Sequence, residues 1–233
     1  VAEAFARIAA TEELSGELPE ELPPEGSLAT ETLRFTRGMS RTEIVERLLA
    51  EQEELVASIW ERRADDLPLE NINEFVTLAS IVEKETGHPD ERSRVAAVFL
   101  NRLERGMRLQ SDPTVIYGLY GGKGMPPDRP IYRSDLEKPT PYNTYLIDDL
   151  PPTPIANPGR AALEAVANPS RTDELYFVAD GTGGHVFAST LEEHNENVAR
   201  WRRIERERAA QAEQEKAESE PSSQEEDEAE SGN

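Results

Sequence analysis

The chain of 233 residues contains 47 acidic and 25 basic side chains, which give a formal net charge of −22. Nine of the acidic residues fall within residues 209–233, but the rest of the chain is also strongly acidic. This charge argues against nucleic acid or an anionic membrane surface as a binding partner. The chain has no cysteine, which excludes disulfides and thiolate metal sites.

The length allows one large domain or two small ones with a sizeable core. No apolar run is long enough to span a bilayer, and no signal peptide is visible. Val1 is not an initiator methionine, so we expect the chain to begin inside a longer protein, with any anchor outside the sequence.

We interpret the first third of the chain as structural support for the rest of the fold. Residues 1–10 predict the end of a helix, and the proline- and glutamate-rich residues 11–25 predict a linker. Ser40 with Glu43 forms a capping box, which predicts a helix over residues 40–63 with an apolar stripe.

Residues 73–103 predict two apolar helices joined by a short polar turn. In the first helix, Phe75 and Val82 lie on the apolar face, and Asn71 or Asn73 can cap its start. Gly87 ends this helix, and we expect Asp90 to cap the second.

Two glutamates stand where the first of these helices ends. At 100° per residue, Glu85 lies about 50° from the centre of the apolar face and Glu83 about 110° from it. Glu85 is therefore the carboxylate directed towards the packed side, where partial desolvation and the helix C-terminus favour its protonated form. That is what a general acid needs near neutral pH. The alternative is a solvated, purely structural helix end.

The character of the sequence changes after Gly106. Residues 107–117 alternate and are rich in β-formers, which predicts one or two short strands, and residues 118–130 predict a glycine- and proline-rich loop. Residues 142–145 predict an extended segment that combines aromatic rings with an amide and a hydroxyl, a mixture typical of sugar sites. An ordinarily packed strand is the alternative.

The last part predicts a helix over residues 161–167 and a hairpin of strands 174–179 and 185–188 around a glycine-rich turn. Thr190 with Glu193 predicts the start of a final polar helix, followed by an acidic, disordered tail over residues 205–233. Together the predicted elements give an α+β fold, with a helical core containing the Glu-bearing helix pair and a small, mostly antiparallel sheet lining a cleft.

The side chains point to carboxylate chemistry. The three histidines show no metal-binding spacing, and neither a phosphate loop nor a GxSxG elbow is present, so we expect no metal and no cofactor. A glycosidase normally uses two carboxylates. Glu85 is the best acid, and only Glu83 and Asp112 are nearby candidates for its partner.

Six blocks, in this order, resemble the YceG-like endolytic murein transglycosylases: LASIVEKET, VAAVFLNRL, GMRLQSDPTVIYG, KPTPYNTY, LPPTPIANPG and LYFVADGTGGHVFA. The helix pair also resembles that of the spore-cortex-lytic hydrolases, whose shared glutamate falls on Glu85. The resemblance implies an enzyme that cuts the bond between N-acetylmuramic acid and N-acetylglucosamine in peptidoglycan, leaving a 1,6-anhydro end. Glu85 alone then acts as acid and base, since the substrate supplies the nucleophile.

The resemblance also implies a site and a location. The glycan groove is expected to be lined by matched polar residues: Gln110, Asp112, Thr114, Asn143 and Tyr145. Residues 1–22 are expected to be the remnant of a LysM-like domain or a linker, and residues 23–204 the catalytic domain. Family members have an N-terminal membrane helix and act on the outer face of the bacterial cytoplasmic membrane, near peptidoglycan synthases.

Two alternatives remain open from the sequence. One is an inverting muramidase, with Glu85 as acid and Glu83 or Asp112 holding the attacking water. The other is a non-catalytic glycan-binding module that uses residues 142–145 and the groove as its working surface.

Overall fold

The structure is a computed structural model that describes residues 1–127 and 129–219, with side chains up to residue 214. The chain divides into two compact units, Val1–Leu175 and a second that begins at Tyr176. The first is helical and the second contains a two-stranded antiparallel sheet. This confirms the α+β class.

The first unit contains seven α-helices and one 3₁₀ turn within the described residues. They are α1 (Ala2–Ala10), α2 (Arg41–Glu61), α3 (Ile72–Glu85), α4 (Arg92–Glu104), α5 (Asp112–Tyr120), the 3₁₀ turn (Gly121–Lys123), α6 (Arg133–Leu136) and α7 (Arg160–Ala167). None of the described helices combines the length and apolar character that crossing a membrane requires.

Local capping explains where the central helices begin. The Ser40 hydroxyl accepts from the Glu43 backbone N–H at 3.1 Å, and the Glu43 side chain accepts from the Ser40 N–H, so the predicted capping box is confirmed. Asn71 caps α3 by accepting from the N–H of Glu74. The prediction for Asp90 is wrong, because α4 begins one residue later than such a cap requires, after Glu91.

Helix α3 lies at the centre of the first unit. It packs against α7, α4, α2 and α5. Its residues from Phe75 to Val82 are all buried, and the predicted apolar face is fully inaccessible to solvent. The apolar face of α4, including Val95, Val98 and Phe99, is buried as well. The helix that ends in Glu85 is therefore held on several sides by packed side chains.

The N-terminal segment packs on α2. Phe5 and Ile8 of α1 share a core cluster with Ile44 and Leu48 of α2. The guanidinium of Arg41 donates to five backbone carbonyls of residues 8–16, which ties this segment to the start of α2. The assignment of residues 1–22 to the remnant of another domain, and of residues 23–204 to the catalytic domain, stays a prediction.

Two predictions between residues 107 and 145 are wrong, and a third is wrong in part. The β-formers after Pro113 belong to α5, because proline is well tolerated in the first turn of a helix and Pro113 stands there. Helix α5 and the 3₁₀ turn occupy the first part of the predicted loop 118–130. Residues 142–145 form turns instead of an extended segment.

The second unit is a hairpin followed by a long helix. Strands β1 (Tyr176–Ala179) and β2 (His185–Ala188) pair antiparallel, with Phe177 opposite Phe187, which confirms the predicted hairpin. Helix α8 (Leu191–Ser219) packs on both strands, and Thr190 caps it through the N–H of Glu193.

The two tryptophans of the chain are divided between the units. Trp60 lies in α2 of the first unit and Trp201 in α8 of the second.

Helix α8 also includes residues 205–219, so the prediction of a disordered tail is wrong for this part, and its remainder lies outside the described residues.

Candidate active site

Glu85 is the last residue of α3, and its half-buried carboxyl faces the start of α5. The hydroxyl of Ser111, the residue immediately before α5, donates to Glu85 Oε1 at 2.6 Å. Because α3 is packed on several sides, the position of this carboxyl is fixed by the core of the first unit. The structure therefore places Glu85 on the packed side of the helix end, as the helical-face argument predicted.

The environment of Glu85 raises its pKa to about 7. Burial is the main cause, because it disfavours the charged carboxylate. The negative charge of Asp112 raises the pKa further, whereas the Ser111 hydrogen bond and the positive charge of Arg102 lower it. A carboxyl with this pKa exchanges a proton readily near neutral pH, as a general acid must.

Asp112 and Tyr145 form a second pair beside Glu85. The Tyr145 hydroxyl donates to Asp112 Oδ1 at 2.6 Å, and both side chains are half-buried. Burial raises the pKa of Tyr145 well above its ordinary value, and its bond to Asp112 and the charges of Asp112 and Glu85 add to the effect. We call Glu85, Ser111, Asp112 and Tyr145 the Glu85 site.

A buried network of hydroxyls supports this site. The Thr144 hydroxyl accepts from the Ser111 backbone N–H at 2.9 Å and lies 2.8 Å from the Thr114 hydroxyl. Thr114 Oγ1 also lies 2.6 Å from the Ser111 carbonyl. Through these bonds the turn at Thr144 fixes the backbone on which Ser111 and Asp112 stand.

Two of the predicted groove residues do not reach the surface. Thr114 and Asn143 are both 0% exposed. The Asn143 amide donates to the carbonyls of Leu136 and Lys138, and its oxygen accepts from the N–H of Tyr145. Their side chains stabilise the turn through buried hydrogen bonds, so neither side chain lines the groove. Buried hydrogen bonding explains their polarity equally well.

Gln110 is exposed, and its backbone is unusual. It has a φ of +52°, a left-handed conformation that only a few per cent of residues other than glycine adopt. Its N–H donates to the Thr144 carbonyl at 3.1 Å. The predicted groove thus retains Gln110 as an exposed side chain, together with the half-buried Asp112 and Tyr145.

Glu83 has a different environment. Its Oε2 accepts from the backbone N–H of Gly159 at 3.2 Å, and Gly159 immediately precedes α7. A carboxylate at a helix N-terminus is stabilised by the unpaired N–H groups and the dipole. The role of Glu83 in this arrangement is structural, because its carboxylate stabilises the start of α7.

A cleft of about 720 Å³ adjoins the Glu85 site. Its lining includes Glu83, Tyr117 and Asn157. Glu85 itself does not line the cleft, but its chain neighbour Lys84 does, and so does Pro113, the neighbour of Asp112. The cleft is therefore lined by one chain neighbour of Glu85 and one of Asp112.

Three residues of this region were not predicted from the sequence. Ser111 and Thr144 lie in the same matched blocks as the predicted groove residues, and a serine before a helix is usually only a cap. Arg102 is buried in α4, and its guanidinium donates to the carbonyls of Arg108, Leu109 and Leu175. Arg102 lies in the matched block VAAVFLNRL, but nothing in the sequence indicates that its guanidinium is buried near Glu85. Among the described residues, no group of three or more His, Asp or Glu side chains is arranged to hold a metal ion.

The sequence profile of the YceG-like family matches residues 1–200. A curated relative from Bacillus subtilis (strain 168), named endolytic murein transglycosylase, is 45% identical over 125 residues, which are 54% of this chain and 33% of that protein. A relative of the same name from Streptococcus pneumoniae (strain D39) is 41% identical over 132 residues, 55% of this chain and 23% of that protein.

A solved structure shows the same likeness. The crystal structure of a YceG-like protein from Listeria monocytogenes matches with a TM-score of 0.61 at 34% sequence identity. The match covers 83% of this chain and 61% of that one, and the chain spans less than half of either curated relative. The family profile covers most of the chain, and the chain therefore belongs to the YceG-like family.

Proposed function

We propose that this chain is the catalytic part of an endolytic peptidoglycan lytic transglycosylase, with Glu85 as its single acid and base. The observation that carries the proposal is the Glu85 carboxyl itself, positioned by α3 and Ser111, with a pKa raised to about 7. The name shared by the Bacillus and pneumococcal relatives supports this reaction class.

The proposed reaction needs two proton transfers by one carboxyl. Glu85 first protonates the bridging glycosidic oxygen, and the bond from this oxygen to C1 of N-acetylmuramic acid breaks. The resulting Glu85 carboxylate then takes the proton of the C6 hydroxyl as O6 bonds to C1. The products are a free 4-hydroxyl and a 1,6-anhydro end, Glu85 is again protonated, and no water is consumed. A pKa near neutrality suits both steps.

Asp112 supports the same reaction in two ways. Its negative charge favours the protonated form of Glu85 before the first step. A carboxylate near C1 also stabilises the oxocarbenium-like transition state that glycosidic cleavage passes through. The Tyr145 hydroxyl holds Asp112 in place. We assign Gln110, Asp112 and Tyr145 to the glycan-binding surface.

The second candidate is an inverting muramidase, and the presence of Asp112 beside Glu85 is the observation that favours it. In such an enzyme Asp112 would activate a water molecule. Its Oδ1, however, already accepts the short bond from Tyr145, and Glu83 is engaged at the start of α7. Both engagements favour the reaction that needs no second base.

A digest of purified glycan strands in ¹⁸O-labelled water separates these reactions. Mass spectrometry of the products should show anhydro ends, lighter than reducing ends by one water, with no heavy oxygen incorporated. Reducing ends that contain ¹⁸O would instead establish a hydrolase.

The matched variants are Glu85→Gln and Glu83→Gln. Both replace a carboxyl near the end of α3 by an amide, but only the first removes the proposed acid. We expect Glu85→Gln to lower the rate by about 10²–10⁴-fold, since the proton transfer is lost, and Glu83→Gln to remain active. Glycan binding without products from the wild type, unchanged in Glu85→Gln, would favour a binding module.

We also infer where the complete protein acts. Membership of the YceG-like family and the word murein in the relatives' names support an enzyme of the bacterial cell envelope. We propose that the catalytic part faces the outer side of the cytoplasmic membrane and acts on nascent strands beside the synthases. Protease accessibility of the full-length protein in spheroplasts tests the orientation, and crosslinking in cells tests the synthase contact.

A further inference from the structure

Ser111 stands at the N-cap position of α5 but does not cap it. A serine there normally accepts a hydrogen bond from a backbone N–H in the first turn. Ser111 makes no such bond, and its hydroxyl donates to Glu85 Oε1 at 2.6 Å. The residue is only 1% exposed, so water does not provide an alternative partner for the hydroxyl. The Ser111 side chain therefore bonds to Glu85 and not to the backbone of α5.

Hydrogen bonds to Thr144 and Arg102 hold the backbone next to Ser111 in place. The N–H of Ser111 donates to the Thr144 hydroxyl, and the N–H of Gln110 donates to the Thr144 carbonyl at 3.1 Å. Arg102 donates to the Leu109 carbonyl at 2.8 Å. These contacts maintain the left-handed conformation of Gln110, which is costly for a residue other than glycine. The strained turn sets the direction in which Ser111 points.

We propose that Ser111 is a positioning residue for the reaction at Glu85, because its hydroxyl selects the carboxyl oxygen that carries the proton. Oε1 accepts from Ser111, so the proton of the neutral carboxyl resides on Oε2, which is the oxygen that transfers it. After the transfer, the same bond stabilises the carboxylate. The inference rests on the proposed function of Glu85.

The Ser111 bond also balances the other influences on Glu85. Burial and the charge of Asp112 both raise the pKa of Glu85 and so favour its protonated form. Among the groups that face Glu85, Ser111 and Arg102 act in the opposite direction. The Ser111 hydroxyl is in direct hydrogen-bond contact with the Glu85 carboxyl.

The test compares Ser111→Ala with Ser111→Thr, which keeps the hydroxyl, and Ser111→Cys, which is slightly larger but similar in shape and donates only weakly. Thermal melting establishes that each variant is folded. The pKa of Glu85 is read by ¹³C NMR of glutamate-labelled protein, with its resonance assigned by its loss in Glu85→Gln. We expect Ser111→Ala to raise this pKa by about one unit, Ser111→Cys to raise it less, and Ser111→Thr to leave it nearly unchanged.

Activity provides the second readout. In Ser111→Ala, the alkaline limb of the pH–rate profile should move to higher pH by the same amount, and the maximal rate should fall by at least tenfold. An unchanged pKa and an unchanged profile would overturn the proposal, and so would a rate loss in Ser111→Ala that Ser111→Thr shares. If the wild type gives no cleavage at all, the proposed function fails, whereas the NMR titration still decides whether Ser111 acts on Glu85.

Discussion

A half-buried carboxyl with a pKa of about 7 is present in both protonation states at neutral pH, so Glu85 can release and recover a proton without a large penalty. The fold raises the pKa of Glu85, because α3 and the helices packed on it keep the carboxyl partly out of water. A residue that is costly to ionise should therefore lower the stability of the folded protein when it does ionise.

The first prediction is that Glu85→Gln stabilises the protein in a pH-dependent manner. The pKa of Glu85 in the folded protein is about 7, above the 4.5 of an ordinary glutamate. Below pH ~4.5 the carboxyl is protonated in both folded and unfolded chains. As the pH rises towards 7, the unfolded chain loses the proton first, so the wild type loses stability, by up to about 3 kcal/mol.

Urea unfolding at pH 4.5 and at pH 8 checks this sign. Glu85→Gln should be more stable than the wild type at pH 8 and close to it at pH 4.5. Glu83→Gln serves as the control, because Glu83 stabilises the start of α7 and its loss should give no gain at either pH. Equal stability of Glu85→Gln and wild type at pH 8 would contradict a strongly raised pKa.

The second prediction concerns Asp112. Its negative charge raises the pKa of Glu85, so Asp112→Asn should lower this pKa and move the alkaline limb of the pH–rate profile to lower pH. A shift of about 0.5–1 unit is reasonable for a neighbouring charge in a half-buried site. Asp149→Asn, a neutralisation at an exposed position, should leave the limb in place. A limb that moves upward in Asp112→Asn would refute the electrostatic role.

At the scale of elements, the sequence predicted those that have clear periodicity or capping. Helices α2, α3 and α4 and the β1–β2 hairpin were found because apolar spacing, a capping box and a glycine-rich turn mark them. Helix α5 was missed because the run from Thr114 to Tyr117 consists of residues that favour strands. Tertiary packing decides such a short segment, and Pro113 in its first turn was the overlooked signal.

The same reasoning explains which site residues were predictable. The half-buried position of Glu85 was predictable because its place on the helical face follows from spacing. Ser111, Thr144 and Arg102 contribute through contacts between segments distant in sequence, such as α4 with residues 108–109. Thr114 and Asn143 were misplaced because a polar residue in a matched block can equally bind a ligand or satisfy a buried backbone.

The third prediction concerns the close approach between α5 and the turn at residues 140–145. A Cβ added at Gly118 would lie 2.3 Å from Thr140 Oγ1 and 3.3 Å from Tyr142 Cβ. Gly118→Ala should therefore push the turn that bears Thr144 and Tyr145 away from α5. We expect a loss of about 1–3 kcal/mol in the free energy of unfolding, together with reduced activity.

Thermal and urea unfolding measure the effect, and Gly87→Ala is the matched control. A Cβ at Gly87, just beyond the Glu85 helix, meets nothing within 4 Å. This variant should stay within about 0.5 kcal/mol of the wild type. If both variants behave alike, the contact between Gly118 and Thr140 does not constrain the turn.

At the scale of the whole molecule, the dominant property is its net charge of −22. The proposed substrate, a peptidoglycan strand, is also anionic, through the carboxyl groups of its peptides or of unsubstituted muramic acid. Long-range repulsion should therefore oppose its encounter with this chain. Raising the ionic strength from 0.01 to 0.1 M shortens the screening length from about 30 Å to about 10 Å.

The fourth prediction is that this change in salt lowers the KM for glycan strands severalfold and leaves kcat nearly constant, because screening assists encounter but not the chemistry at a half-buried carboxyl. Initial rates over a salt series provide the measurement. Strands whose carboxyls have been amidated should show a much weaker dependence. A KM that increases with salt would mean that a local basic surface, rather than the net charge, governs binding.

The division of the two tryptophans between the units provides an optical probe for each of them. Trp60 stacks beneath the guanidinium of Arg63, with the ring centroid 3.7 Å from the carbon, and Trp201 belongs to α8. In a Trp201→Phe variant, intrinsic fluorescence would report the first unit alone, and Trp60→Phe would isolate the second. A pair of emission curves, recorded through one denaturant series, would then distinguish a protein that melts in a single transition from one whose halves melt independently.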